Sequence, residues 1–416
     1  MRRYKKLFSL LLAGIFLFSF FNFTEAKKTR KQKKVSKPRI ASSKPLVSKN
    51  FVGAAEDLPV KSSILVEAET GQILFEKNPH EKLPPASIVK LITMLVVMER
   101  VKEGKVKLTD EVKVSSYAAQ MGGSQVFLQE GEVFPLEEMM KAITIASAND
   151  ASYAVAEFID GSEEAFVETI NERAKELGMK DSHFVNTHGL PPERGETEQN
   201  LTSAYDLSLV ARELIKYPAI LQWCSIRQEK FRGGKFTLTN TNKLIEKYDG
   251  MDGFKTGYTE EAGFCLVATA KRGERRLISV VLGAESNKER FAETKRLLDY
   301  GFNFFRKITA FKKGEIVGDV PVENGEAKKV KVEVPKDVFA VVKKKDEKRV
   351  EKKFSGVSQL TAPVKKGVKA GVVTVTLDGK VIAKADAVAS KDVEKAKLIL
   401  RILRKLGLSW ILYDEE

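Results

Sequence analysis

Pro84-Pro85-Ala86-Ser87-Ile88-Val89-Lys90 is the stretch that decides how this chain folds. Two prolines stop whatever precedes them, and from Ser87 to about Val101 apolar side chains recur at helical spacing. Upstream, residues 63–68 and 72–76 are short apolar runs separated by Glu69-Thr70-Gly71, a strand-turn-strand pattern. Downstream, residues 136–159 read as two helices interrupted by Ser147-Ala148-Asn149-Asp150, and residues 204–217 as an amphipathic helix. Residues 263–270 and 276–283 are strands joined by Lys271-Arg272-Gly273-Glu274. A hairpin, a long helical middle and a second hairpin imply an α+β fold: an antiparallel sheet flanked by helices, with a helical subdomain inserted.

Three short motifs are threaded through that frame: Ser87-Ile88-Val89-Lys90, Ser147-Ala148-Asn149 and Lys255-Thr256-Gly257. Each alone has a bland explanation: a helix-capping serine with a surface lysine, a turn, and a common tripeptide. In this order they supply a nucleophile, a base without histidine, a proton relay and a carboxylate anchor. Ser87 and Lys90 are three residues apart at a helix start and share a face, where the helix N-terminus favours a developing oxyanion. Lysine activates a serine only if burial and neighbouring cations lower its pKa. The apolar surroundings of Lys90 fit that need, and Lys255 is a candidate cation. Ser147 in a loop can relay a proton, and Asn149 can hold a substrate amide or the base. Lys255 with the Thr256 hydroxyl suits a substrate carboxylate. Gly257 lets a peptide approach the edge of the strand expected to begin at Gly263.

Competing chemistry is poorly supplied. His80, His183 and His188 are the only histidines and lack metal-ligand spacing. His188, in Asn186-Thr187-His188-Gly189-Leu190, reads as part of a structural turn in preference to a base. There is no phosphate loop or dinucleotide fingerprint, so neither cofactor nor metal is expected. Cys224 and Cys265 are the only cysteines, which excludes a disulfide scaffold and leaves open whether these two pair.

The net charge of +15 is a local matter. Residues 1–50 hold 14 Lys and Arg against Glu25 alone, and the rest of the 416-residue chain has 57 basic against 55 acidic residues. No nucleic-acid partner is expected from so neutral a body. Arg2, Arg3, Lys5 and Lys6 precede an apolar run from Leu7 to Phe21 and the small-residue exit Thr24-Glu25-Ala26. That is the pattern of an export signal over residues 1–26, and the run is too short for a ~20-residue membrane span. Residues 27–58 read as a basic, disordered linker. Beyond residue 308 the texture turns to Val and Lys with period-2 stretches at 329–334 and 372–377 and turns at Asn324-Gly325 and Asp378-Gly379, a small β domain over 308–390. In 391–413, Ala396, Ile399, Leu400, Leu403, Leu406 and Trp410 share one helical face opposite Lys397, Arg401, Arg404 and Lys405. A basic amphipathic helix of this kind over 391–416 fits a peripheral anchor on a membrane surface.

On these motifs the chain resembles the D-alanyl-D-alanine carboxypeptidases, the low-molecular-mass penicillin-binding proteins. Asn186-Thr187-His188-Gly189-Leu190, Ser203-Ala204-Tyr205-Asp206-Leu207, Asn240-Thr241-Asn242-Lys243-Leu244 and Gly263-Phe264-Cys265-Leu266-Val267-Ala268-Thr269-Ala270 are similar to that family as well. The resemblance implies a serine peptidase domain of β-lactamase-like fold over 59–307. It further implies that Ser87 attacks the carbonyl between the two D-alanines of a peptidoglycan stem peptide, with Lys90 as base. By the same resemblance Ser147 passes a proton to the leaving D-alanine, Asn149 orients the site, and Lys255 and Thr256 grip the terminal carboxylate. Backbone N–H groups of Ser87 and Tyr258 would form the oxyanion hole, and β-lactams would acylate Ser87 and inhibit. Tyr258 stands where some members have histidine, and Ala148 where some have glycine. Two rivals are a β-lactamase on the same scaffold, against which no Glu-x-x-Leu-Asn stretch is present, and a non-catalytic wall-binding scaffold.

Overall fold

The computed structural model describes residues 58–191 and 198–405. The expected export signal, the linker up to residue 57 and residues 406–416 of the terminal helix lie outside the described residues. The sheet is built from Ser62–Glu67 (β1), Ile73–Lys77 (β2), Met251–Thr259 (β3), Gly263–Arg272 (β4) and Arg275–Ala284 (β5), ordered β2-β1-β5-β4-β3 with every pairing antiparallel. Successive side chains of a strand face opposite ways. Ile64, Val66, Ile278, Val280 and Leu282 therefore join the core beneath the inserted helices. Leu65, Leu266, Leu277 and Val281 turn to the other face. Both faces are covered, which explains why these strands read as nearly continuous apolar runs.

The helices that position the site are Lys90–Lys102 (α1), Asn149–Asp160 (α2), Glu163–Leu177 (α3) and Asn287–Phe304 (α4). In α1 every residue from Lys90 to Met98 is buried, so this is a central helix without a wet face. Ser87 is not in it. It occupies a 3-10 turn, Ala86–Val89, that leads into α1. The Lys255-Thr256-Gly257 motif precedes the strand beginning at Gly263, as expected, but itself also lies inside a strand, β3, at the sheet edge. α4 closes the second face of the sheet, with Gly301 letting it sit against Leu277 and Leu65, where a Cβ would come within 2.5 Å of the Leu277 side chain.

α4 runs directly into Phe305–Phe311, the first strand of an all-β domain. That strand pairs with Val338–Lys343, and a second sheet holds six strands. Their shared core includes Val320, Val332, Val373 and Val375. The turn positions take left-handed backbone, with φ of 59° at Asn324, 50° at Asp378 and 75° at Gly379. The terminal segment departs from expectation. Residues 391–397 are not helical, since Val393 bridges to Val364 and Lys395 to Gly325. Helix begins at Leu398 and is described to Lys405. Among the described residues no helix is long and apolar enough to cross a membrane. Cys224 and Cys265 are separate, buried thiols.

The two domains are joined by backbone-like bonds. The Gln72 side chain donates to the Val341 carbonyl at 2.7 Å and accepts from the Val341 N–H at 3.1 Å. Gln72→Ala leaves both buried groups unpaired, and we expect it to lower unfolding free energy by about 1–3 kcal/mol in a denaturant titration.

Candidate active site

The nucleophile segment is held by contacts that leave one polar atom open. Ala86, Ile88, Val89 and Lys90 are buried, and Ser87 is only half-buried. The turn is tight, with Ala86 at φ 48°. Gly189 packs so close behind it that a Cβ there would lie 2.1 Å from the Ala86 carbonyl oxygen. From the first position of α1, Lys90 Nζ reaches Ser87 Oγ at 3.1 Å, Asn149 Oδ1 at 2.7 Å and the His188 carbonyl at 2.6 Å. Those three contacts use all three donors of an ammonium. With the amine neutral, the Ser87 contact reverses and the hydroxyl donates to the nitrogen lone pair. Burial and then the Lys255 cation hold the Lys90 pKa well below the usual lysine value, while Asp150 and Glu163 oppose.

The second motif is presented by a break between helices. A π-helical turn, Ala142–Ala146, ends at Ser147, whose φ of 65° is left-handed. That twist turns the hydroxyl toward Lys255, whose Nζ donates to it at 2.7 Å. Asn149 then opens α2. Its side chain donates to the Gly122 carbonyl and its backbone N–H to the Ser124 carbonyl, each at 2.7 Å. Asp150 accepts the N–H groups of Val126 and Leu128, so the loop over 122–128 is tied to the motif from both ends.

The third motif lies along β3. Lys255 is 1% exposed and also donates to the Thr256 carbonyl at 2.9 Å. Burial lowers its pKa to about 7; Cys224 opposes that shift and the Arg290 cation adds to it. Thr256 Oγ1 pairs with Thr241 Oγ1 at 2.7 Å. Gly257 has a packing role that the sequence did not suggest. A Cβ there would meet the Pro85 carbonyl oxygen at 2.7 Å and Ile88 Cγ1 at 3.1 Å, so its bareness admits the nucleophile turn. The Gly257 carbonyl is held by Arg290 at 2.9 Å. Tyr258 is 53% exposed and stacks on Phe264 at 4.3 Å between centroids.

All three motifs thus meet in one place, with Tyr258 at the outer end of β3. Sequence reasoning missed the His188 carbonyl, Thr241, Arg290 and the 122–128 loop. Two of these act through backbone atoms, which leave no side-chain signal. The His188 ring is not a base: burial, followed by the Lys90 cation, lowers its pKa to about 3. Chemically, the arrangement offers a serine hydroxyl beside a buried amine of lowered pKa, a second buried amine, and an edge strand with an unpaired side.

Comparison with known proteins gives a consistent picture. Residues 49–286 match the family described as D-alanyl-D-alanine carboxypeptidase, and residues 305–395 match the C-terminal domain of penicillin-binding protein 5. The chain is similar to a D-alanyl-D-alanine carboxypeptidase (DacF) of Bacillus subtilis strain 168, with 42% identity over 83% of this chain and 89% of that one. It is similar in structure to penicillin-binding protein 5 of Haemophilus influenzae, with a TM-score of 0.74, 31% identity, and coverage of 82% of this chain and 98% of the other. Penicillin-binding protein D2 of Listeria monocytogenes in its ampicillin-bound form matches 59% of this chain and 98% of its own, at 29% identity and a TM-score of 0.54.

The tight fit behind the nucleophile turn is testable. Gly189→Ala adds a Cβ at φ 85° against the Ala86 carbonyl. The expected cost is at least about 2 kcal/mol of stability, read from the denaturant midpoint.

Proposed function

Because the chain belongs to the D-alanyl-D-alanine carboxypeptidase family and is a serine-type D-Ala-D-Ala carboxypeptidase, we propose that Ser87 is its nucleophile and Lys90 its general base. The observation that carries this is the buried Lys90 Nζ, 3.1 Å from Ser87 Oγ and depressed in pKa. Neutral Lys90 takes the Ser87 proton as Oγ adds to the carbonyl between the two D-alanines of a stem peptide. The backbone N–H groups of Ser87 and Tyr258 receive the oxyanion. Ser147 conducts a proton to the departing amine, so D-alanine leaves neutral at nitrogen. Asn149 holds Lys90 in line, and Lys255 with Thr256 binds the terminal carboxylate. Gly257 keeps β3 close to the nucleophile turn. The substrate backbone lies along the free side of β3 as an added strand. Water, activated by Lys90, then releases the shortened peptide and restores Ser87.

A β-lactam fits the same steps as far as the acyl-enzyme and stays there. The contacts of Lys90 with Ser87 and Asn149 favour catalysis over a non-catalytic scaffold. Fluorescent penicillin should label the wild type durably and leave Ser87→Ala unlabelled, with D-alanine release lost in parallel. Label retained by the alanine variant would remove Ser87 from the mechanism, and rapid turnover of the label would make the enzyme a β-lactamase.

The charge balance of the two lysines predicts a pH effect. Lys255 as a cation pushes the Lys90 pKa down, so Lys255→Gln lets it rise. The acid limb of the acylation rate should therefore move to higher pH, beyond the general loss of substrate binding. An unmoved limb would break the link between the two lysines.

We also place the enzyme outside the cytoplasmic membrane, held peripherally by its C-terminal helix. The basic and apolar start of the chain supports export, and exposed Leu398, Ile399 and Ile402 support the anchor. Since residues 391–397 belong to the β domain, the informative truncation follows Lys397. It should free the protein from anionic vesicles while leaving penicillin labelling intact; unchanged binding would dismiss the anchor.

A further inference from the structure

We infer that Glu163 is a positioning residue for this reaction: its carboxylate clamps Thr187, and so holds the adjoining His188, whose carbonyl aims Lys90 at Ser87. The inference rests on the roles proposed above for Ser87 and Lys90. Glu163 is the first residue of α3, where the helix N-terminus favours an anion, and its side chain is 12% exposed. One oxygen, Oε1, accepts both the Thr187 N–H at 2.9 Å and the Thr187 hydroxyl at 2.5 Å. On the other side of the same residue, the Thr187 carbonyl accepts from Ser152 of α2 at 2.9 Å and from Thr93 of α1 at 3.3 Å. Thr187 has no exposed surface. Three helices thus grip one residue, Thr187, and the next carbonyl, that of His188, receives Lys90 at 2.6 Å.

The His188 ring completes the arrangement. Its Nδ1 accepts from the Leu190 N–H at 3.2 Å, which leaves the proton on Nε2, 3.8 Å from Glu163 Oε1. The charged and titratable groups facing Lys90 are Lys255, Asp150, Glu163 and His188. Those facing Glu163 are His188, Glu164, Glu157 and Tyr153. Glu163 therefore does two separable things. Its oxygen anchors the turn, and its negative charge stabilises the proton on Lys90, setting how far down the base can be titrated.

Two variants separate these actions. Glu163→Gln keeps a carbonyl oxygen that can accept both Thr187 donors but removes the charge; Glu163→Ala removes both. Penicillin acylation by Glu163→Ala should fall at least about tenfold, the scale of a misplaced catalytic group. Acylation by Glu163→Gln should stay within about threefold of wild type at its optimum, with the acid limb displaced to lower pH because Lys90 loses its proton more readily. A wild-type rate in Glu163→Ala overturns the clamp. An unmoved acid limb in Glu163→Gln overturns the electrostatic role, and does so even if Glu163→Ala does not fold. Ser87→Ala runs in the same series; label retained there would instead bring down the underlying assignment of the nucleophile.

Discussion

The arrangement depends on two lysine ammonium groups being taken out of water within reach of one another. Lys90 and Lys255 are 0% and 1% exposed, and each lies against neutral or weakly polar groups instead of a carboxylate partner. Desolvation and mutual repulsion both penalise the doubly protonated state. A fold that tolerates this must surround the amines with rigid acceptors, and the surroundings match: the Asn149 amide, the His188 and Thr256 carbonyls and the Ser147 hydroxyl. The carboxylates that would neutralise the pair outright are kept one layer back. Asp150 is occupied by the backbone of the 122–128 loop and Glu163 by Thr187.

That layering accounts for the unusual backbone around the site. Ala86 and Ser147 are both left-handed without being glycine, at φ 48° and 65°. Such conformations cost of order 1–3 kcal/mol each and persist only where the surrounding structure determines them. For Ala86 the determinants are Gly189 and Gly257, whose missing side chains let the nucleophile turn lie between a loop and the edge strand. Space is left at the two glycines so that the strained turn can hold Ser87 against Lys90.

How much of this was legible in the chain follows from the same physics. The two hairpins were legible because turn residues punctuate apolar runs, and the β domain because period-2 stretches alternate with Asn-Gly and Asp-Gly turns. The reactive trio was legible as side chains. β3 was not, because its centre carries Lys255 and Thr256, buried polar residues that interrupt the apolar signal of a strand. Helix α4 was missed for a related reason: it buries Arg290, Thr294 and Gly301 beside Leu297 and Leu298, so its inner face does not look apolar. Residues 391–397 share the charged composition of the helix that follows, and only their bridges to Val364 and Gly325 separate them from it.

The passage from α4 to the β domain has no spacer. Phe304 ends the helix and Phe305 begins a strand, while the Arg275 guanidinium is tied to the carbonyls of Gly301, Phe302 and Phe305 across that junction. Gln72 and the ion pair of Lys307 with Glu69 add two more ties. A hinge needs a few residues free to change their backbone angles, and this junction provides none. The β domain is thus a stiff arm, and a force or torque applied to its far end reaches the catalytic cleft as rotation of the whole body, with little bending between the two.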